Sequence, residues 1–331
     1  MPLVSVIVPN YNHAPYLRQR LDSIFNQTFQ DFEVIILDDC STDNSKEVIE
    51  EYRNRSQVSH IVYNKVNSGS PFKQWAKGFD LAQGEYIWIA ESDDWAEPLF
   101  LEELVGSLTR DESLAIAFCG NYWEYSDKIL EELLLPKDCF FKGKKFITSK
   151  QIFYNNIANA SSVLFRKKFL TFVPDEYKNF AASGDYFFWN SMCEKGNLYY
   201  KAKLLNHFRR HASSTTKKSA ASGKSFFENY RIYCYLKNKG FVSLLAKYRI
   251  VCYELEEIEK YKDGLIQNKA YNQSKKQWEK EVIAKCFVTK IMLYYAKQLN
   301  KYDALPPITK FWKIFHLPNP DIRGFFLKLL H

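Results

Sequence analysis

The first 90 residues alternate between short apolar runs and segments with helical spacing, and this alternation constrains the fold more than any other feature. The apolar runs are rich in β-branched and aromatic residues, as expected of buried strands, and they cover residues 3–9, 32–37, 58–63 and 86–90. Between them, apolar residues recur every three or four positions. The resulting βαβαβαβ order predicts an α/β fold with a doubly wound, mostly parallel sheet flanked by helices.

The pattern continues less regularly beyond residue 97. It predicts helices over 98–108 and 186–193, strands over 114–119, 161–165 and 198–208, a surface turn at 142–145, and a loop or linker at 212–224, where Ser, Thr, Lys and Gly are frequent. From residue 226 onward the spacing is helical, with breaks at the prolines near 306 and 318–320. We therefore expect an α/β domain over 1–222 and a helical C-terminal region over 223–331.

The charge of the chain is unevenly distributed. The net charge is +8, and residues 225–331 contain 19 Lys and Arg but 10 Asp and Glu. No nucleic-acid-binding motif accompanies this charge, so we expect no nucleic-acid partner. The seven cysteines are scattered without a Cys-x-x-Cys pair, which favours a reducing compartment over a disulfide framework or a zinc site. With no signal peptide or apolar run of spanning length, a cytoplasmic location is expected.

Three acidic residues, Glu91, Asp93 and Asp94, follow the fourth predicted strand within four positions. Carboxylates this close repel one another unless solvent or a cation neutralises them. Ligands of open α/β sheets bind at the carboxyl ends of the strands, which is where these residues fall. A solvated turn is the alternative, but the position favours a site for a hard cation, Mn²⁺ or Mg²⁺.

The second predicted strand also ends in carboxylates, Asp38 and Asp39, on the same rim of the sheet. A nucleoside diphosphate lying there would need an acceptor for a pyrimidine N3–H, which Asp39 can supply, and a cation for its phosphates. The sequence has no glycine-rich phosphate loop. We therefore expect the metal, rather than backbone amides, to hold the diphosphate.

The order of these motifs resembles glycosyltransferase family 2, the inverting nucleotide-sugar transferases of the GT-A fold. The resemblance covers residues 1 to 215, and its pieces are VIVPNYN at 6–12, LDDCSTDNS at 37–45, GEYI at 84–87, ESDD at 91–94, GD at 184–185 and FRRH at 208–211. Each piece is short, and the ordered set is specific.

The resemblance implies a role for each matching position. Asp93, with Glu91, would coordinate the metal, and Asp185 would be the general base that deprotonates the acceptor hydroxyl. Asp39 would read a uracil or thymine edge. Contacts with the nucleotide sugar, most simply a UDP-sugar, are implied for Pro9, Asn10, Tyr11, Asn12, Asp39, Lys73, Ser92, Asp94 and His211. His211 would contact the diphosphate or complete the metal shell.

Three positions depart from the family pattern. Glu91 replaces the usual first aspartate of the acidic motif, and Gly184 stands where an acidic residue commonly precedes the base. The usual Ala-Arg-Asn before the fourth strand is Gln-Trp-Ala at 74–76, which leaves Lys73 as the nearest replacement for the missing arginine.

The resemblance implies a metal-dependent inverting glycosyltransferase. It would move a sugar from a UDP- or dTDP-sugar to a hydroxyl of a glycan or lipid-linked glycan in bacterial surface polysaccharide synthesis. Non-processive transfer is expected, because the Gln-x-x-Arg-Trp motif of processive synthases is missing. The alternatives are a sugar-nucleotide nucleotidyltransferase and a nucleotide-sugar-binding protein without turnover.

The last 27 residues, 305–331, interleave lysines and an arginine with aromatic and aliphatic residues. Such a segment can lie in the headgroup layer of an anionic membrane. It can equally pack against the rest of the protein. An anionic membrane surface is therefore a candidate partner, with a peripheral location on the inner face of the cytoplasmic membrane.

Overall fold

The computed structural model of the protein describes residues 1–210 and 215–281. The chain divides into two compact units, Met1–Ser219 and a second unit that begins at Ala220. In the described ranges, no helix combines the length and the apolar character that crossing a bilayer requires.

The first unit is built on one ten-stranded sheet. Its strands, in chain order, are β1 (Val4–Asn10), β2 (Phe32–Asp38), β3 (Val58–Tyr63), β4 (Tyr86–Ile89), β5 (Trp95–Ala96), β6 (Leu114–Glu124), β7 (Ile129–Glu132), β8 (Cys139–Phe141), β9 (Val163–Arg166) and β10 (Asn197–Arg209). The spatial order is β3-β2-β1-β4-β9-β6-β10-β5, with β7 beside β6 and β8 beside β10.

The half of the sheet from β3 to β4 is parallel, as the sequence predicts. Every residue of β1, β2 and β4 is buried, which explains their continuous apolar runs. In the β1–β2 register, Asn10 lies opposite Asp38. The carboxyl ends of these strands therefore share one rim.

The other half of the sheet is mixed. Strand β9 runs antiparallel to both β4 and β6, whereas β10 is parallel to β6. The α/β class with a large central sheet is thus confirmed, and the parallel character is concentrated in the first four strands. Of the predicted strand 161–165, residues 161 and 162 instead belong to a 3₁₀ turn, Ala160–Ser162, that precedes β9.

The helices of the first unit cover both faces of the sheet. They are α1 (Ala14–Phe25), α2 (Ser45–Glu51), α3 (Pro71–Leu81), α4 (Phe100–Leu108), α5 (Gly143–Phe146) and α6 (Gly184–Cys193), and a further helix, α7 (Thr215–Ser222), spans the boundary with the second unit. Helices α1 and α3 each have a proline in the first turn, where its missing N–H costs nothing.

Two local predictions are wrong. Residues 143–145 of the predicted surface turn at 142–145 form the start of α5. Gly143 is buried there, so near the carbonyl oxygens of Cys193 and Gly196 that an added Cβ atom would collide with them. The predicted loop at 212–224 contains α7 in its described part. Its Ser and Thr content suggested a loop, but alanines and lysines also support a helix.

The described part of the second unit is helical, as predicted. It contains α8 (Lys224–Asn238), α9 (Leu244–Lys260), α10 (Lys262–Gln267) and α11 (Tyr271–Glu279). Trp278 is buried against the rings of Tyr230 and Tyr233, whose hydroxyls donate to the Glu281 carboxylate. The segment 305–331, expected to meet a membrane, lies outside the described residues.

Candidate active site

The loops that follow β1 and β2 are tied together at the rim of the sheet. Asn10 donates from Nδ2 to Asp38 Oδ1 at 2.8 Å, and the Thr42 amide donates to Asn12 Oδ1 at 2.7 Å. Asn12 holds a left-handed conformation, with φ at 55°, which asparagine adopts more readily than most residues. The predicted nucleoside loop therefore has a fixed shape, in which Asn10 is buried and Tyr11 is 46% exposed.

Asp39 is buried and accepts several hydrogen bonds from the segment that leads into α3. Its Oδ1 accepts from Asn64 Nδ2 at 2.6 Å and from Gln74 Nε2 at 2.9 Å, and its Oδ2 accepts from Ser68 Oγ at 2.7 Å. The Ser68 amide is a further donor. The carboxylate thus fixes residues 64–74 against the end of β2, and a nucleobase reaching it would join or replace one of these donors.

The acidic cluster after β4 is defined here as Glu91, Asp93 and Asp94. Asp94 is its most buried member. Asp94 is 1% exposed, and its Oδ2 accepts from Asn159 Nδ2 at 2.8 Å and Ser161 Oγ at 2.7 Å. Its Oδ1 accepts from the amide of Arg209, at the end of β10. Asp94 therefore faces the protein, whereas its neighbour Asp93 is half-buried.

Glu91 is held by the indole of α3. Its Oε1 accepts a hydrogen bond from Trp75 Nε1 at 2.8 Å. Burial, followed by the charge of Asp93, raises the pKa of Glu91 to about 8. The same two causes, in the same order, raise the pKa of Asp94 to about 7. Three carboxylates are thus held closer together than their mutual repulsion favours.

Asp185 lies in the first turn of α6, where a carboxylate interacts favourably with the helix dipole. Asn155 Nδ2 donates to its Oδ2 at 2.9 Å. The preceding Gly184 packs against Phe72 of α3 so closely that an added Cβ would lie 2.6 Å from the phenyl ring. Only glycine allows this approach, which explains why an acidic residue is replaced here.

Helix α3 connects the three acidic segments. Phe72 contacts Gly184, beside Asp185; Gln74 donates to Asp39; and Trp75 donates to Glu91. The structure therefore brings these segments to the first half of one helix. The tripeptide 74–76 departs from the family pattern, and two of its side chains, Gln74 and Trp75, donate hydrogen bonds to the acidic residues.

The remaining predicted residues lie around this arrangement. Ser92 is buried, and its Oγ is 2.8 Å from His13 Nδ1. Lys73 is exposed on α3, and its ammonium donates to the Ser68 carbonyl at 3.0 Å. Pro9 is buried within β1. His211 lies outside the described residues.

The cluster suits a hard cation that receives most of its ligands from a substrate. Across 1–210 and 215–281, no three His, Cys, Asp or Glu side chains are grouped so that they could surround a metal ion. Asp93 and Glu91 offer at most two carboxylates, and magnesium commonly takes one or two protein carboxylates together with phosphate oxygens and water. These two residues would hold the ion.

Several residues of the site were not found by sequence reasoning. They are the side chains that contact the acidic residues or, for His13, the neighbouring Ser92: His13, Arg20, Ser68, Gln74, Trp75, Asn155, Asn159 and Ser161. Asn159 and Ser161, for example, lie 65 and 67 positions from Asp94. Their distance along the chain from Asp94 leaves no local signal of the contact.

The fold is that of a mixed α/β protein with a large central sheet and an acidic cluster after its fourth strand. Sequence comparison identifies the family. Residues 5–169, about half of the chain, match the model of glycosyl transferase family 2. The chain belongs to this family and is a glycosyltransferase.

Two relatives illustrate the similarity. A glycosyltransferase named for teichuronic acid biosynthesis, TuaG of Bacillus subtilis (strain 168), is 29% identical over 229 residues, or 68% of this chain and 86% of TuaG. The poly(ribitol-phosphate) β-N-acetylglucosaminyltransferase TarS of Staphylococcus aureus (strain Mu50) is 34% identical over 111 residues, or 33% of this chain and 19% of TarS.

A solved structure supports the fold. The crystal structure of S. aureus TarS residues 1–349 in complex with UDP-GlcNAc superposes with a TM-score of 0.56 at 16% identity, and the match covers 84% of this chain and 91% of that one. At this identity the likeness concerns the fold, which is thus confirmed as that of a GT-A-type glycosyltransferase.

Proposed function

We propose that the protein is a metal-dependent, inverting and non-processive glycosyltransferase that uses a UDP- or dTDP-sugar. The observation that carries the proposal is that Asp39, Glu91 and the segment bearing Asp185 all meet the first half of α3, through Gln74, Trp75 and Phe72. A single sugar nucleotide extends from a nucleoside through a diphosphate to an anomeric carbon, and the three segments supply one functional group for each part.

The nucleoside would lie against the loops after β1 and β2. The exposed ring of Tyr11 can stack on a base, and Asp39 lies at the end of the adjacent strand. Asn10 and Asn12 hold these loops together through Asp38 and Thr42, so that the pocket is formed before the nucleotide binds. Preorganisation of this kind lowers the entropic cost of binding.

The diphosphate would lie over the acidic cluster. A bound Mn²⁺ or Mg²⁺ supplies a Lewis acid that stabilises charge on the leaving diphosphate. Asp93 and Glu91 would hold the ion, and Asp94 keeps the loop in place through its bonds to Asn159 and Ser161. Neutralisation by a cation would also relieve the repulsion within the cluster.

Asp185 would accept the proton of the acceptor hydroxyl. The hydroxyl oxygen bonds to the anomeric carbon, the bond from that carbon to the diphosphate oxygen breaks, and the proton passes to the Asp185 carboxylate. Attack opposite the leaving group inverts the anomeric configuration. Asn155 holds the carboxylate by its Oδ2, and the position of Asp185 in the first turn of α6 stabilises the ionised form that a base requires.

The acceptor is proposed to be a hydroxyl of a glycan or lipid-linked glycan in bacterial surface polysaccharide synthesis. Two relatives support this class, since one is named for teichuronic acid biosynthesis and the other for glycosylation of poly(ribitol-phosphate). We place the reaction on the cytoplasmic side, where nucleotide sugars are made.

The test is a panel of UDP-sugars incubated with the protein and MnCl₂. Slow release of UDP by hydrolysis is expected with one or a few donors. Asp185→Asn should abolish turnover and leave the UDP affinity, measured by calorimetry, nearly unchanged. Asp80→Asn, an exposed carboxylate at the far end of α3, is the matched control and should behave as wild type.

Two results would contradict the proposal. Equal loss of turnover and UDP binding in Asp185→Asn would argue against a base. Formation of UTP from a UDP-sugar and pyrophosphate would instead identify a nucleotidyltransferase.

A further inference from the structure

The core beneath the acidic cluster contains a buried arginine, Arg20, on the inner face of α1. Its side chain is 0% exposed and lies among apolar residues of the same helix, Leu17, Leu21 and Ile24. Arginine is rarely buried in this way unless it is paired, because removing a guanidinium from water costs several kcal/mol. Such a residue therefore needs a compensating interaction.

The hydrogen bonds of Arg20 account for only part of its charge. Nε donates to the backbone oxygen of Glu91 at 2.8 Å, and the guanidinium carbon lies 5.3 Å from the centre of the Trp88 ring. Within the described part of the chain, Nη1 and Nη2 have no hydrogen-bond partner. The end of the guanidinium group is thus desolvated and unpaired.

Nearby negative charges compensate the part of the guanidinium group that has no hydrogen bonds. Burial lowers the pKa of Arg20 to about 10, while the charges of Asp94, Asp93 and Glu91 oppose this shift. The side chain therefore remains cationic at neutral pH, and it is near enough to Asp94, Asp93 and Glu91 for their charges to act on it. Its Nε bond to the Glu91 carbonyl fixes it against the backbone of the same loop.

We propose that Arg20 is the permanent counter-charge of the acidic cluster. From the core side, its guanidinium offsets part of the repulsion among Glu91, Asp93 and Asp94 and holds the loop after β4 in place before any ligand binds. Arg20 is a positioning residue, since its full burial keeps it from touching a substrate. The inference concerns the ligand-free protein and does not rest on the proposed donor or reaction.

A double-mutant cycle for unfolding tests this role, with the metal removed by EDTA and at pH 9, where the Glu91 carboxyl is ionised and Arg20 is still cationic. Arg20→Met replaces the charge with an apolar chain of similar length, and Glu91→Gln removes one carboxylate charge while keeping an acceptor for Trp75 Nε1. If Arg20 balances the cluster, Arg20→Met should lower the ratio of folded to unfolded protein about tenfold more in the wild-type background than in Glu91→Gln. Asp93→Asn should give coupling of the same sign.

Arg166 provides a matched control. It is also buried, but its guanidinium donates to the carbonyls of Leu108 and Leu114 and pairs with Glu85. The cost of Arg166→Met should therefore be the same, within about twofold, with and without Glu91→Gln. This comparison separates a charge effect from the general cost of removing a buried arginine.

A purely structural role for Arg20, such as packing on Trp88, predicts equal costs of Arg20→Met in both backgrounds, and that result would overturn the proposal. If Arg20→Met does not fold, its soluble yield decides the question. Recovery of folded protein by adding Glu91→Gln or Asp93→Asn, or by Arg20→Lys, supports the counter-charge, and failure of all three overturns it.

Discussion

The raised pKa of Glu91 predicts how the stability of the metal-free protein changes with pH. The pKa rises from 4.5 to about 8, because the carboxylate is buried and lies near Asp93. The folded state therefore holds a proton that the unfolded state releases. The contribution of Glu91 to stability is fully present below about pH 4.5 and is lost as the pH rises through 8.

The size of this effect follows from the shift. At 1.36 kcal/mol per pKa unit, the shift corresponds to about 4 to 5 kcal/mol between pH 4.5 and pH 9, which is an upper bound for a group in a relaxing site. Glu91→Gln keeps the bond from Trp75 and removes the titration. The variant should therefore gain stability relative to wild type as the pH increases from 5 to 9.

The assay is urea denaturation in EDTA at several pH values, followed by tryptophan fluorescence. Five of the seven tryptophans lie in the first unit, at 75, 88, 95, 123 and 189, so the signal reports mainly on that unit. Parallel stability curves for wild type and Glu91→Gln between pH 5 and 9 would refute the reasoning.

Glu254→Gln is a matched comparison in the second unit. Burial, as the largest cause, also raises the pKa of Glu254 to about 8, and the charge of Glu257 contributes less. Its pH dependence should appear in the unfolding of the second unit, followed by circular dichroism. MnCl₂ should reduce the pH dependence due to Glu91 and leave that of Glu254 unchanged.

Three further predictions concern ligand binding, catalysis and the tail. Asp93→Ala should weaken UDP binding at least tenfold in the presence of MnCl₂, as measured by calorimetry, because it removes a metal carboxylate; unchanged binding would exclude Asp93 from the metal site. Asn155→Ala should lower kcat about tenfold with little change in UDP affinity, since it frees the Asp185 carboxylate to adopt unproductive orientations; wild-type UDP-release kinetics would show that Asn155 does not position the base. Full-length protein should float with anionic liposomes and a variant ending at residue 304 should not; failure of the full-length chain to bind would end the membrane hypothesis.

The sequence predicted the elements that depend on local patterns. Continuous β-branched runs predicted β1 to β4, because strands buried on both faces need apolar residues at every position. Right-handed crossovers then placed Asp39 and the acidic cluster on one rim. The ordered motifs identified the family, because each motif is a short run of neighbouring residues that can be read directly from the sequence.

Only the tertiary structure decided what surrounds these carboxylates. Asn159 contacts Asp94, 65 positions away in the chain, and Arg20 contacts Glu91, 71 positions away. No periodicity marks such pairs, since they arise from the packing of α1, β4 and the turn before β9. The antiparallel insertion of β9 was missed for the same reason: strand direction depends on the route of the intervening chain, which a short apolar segment does not encode.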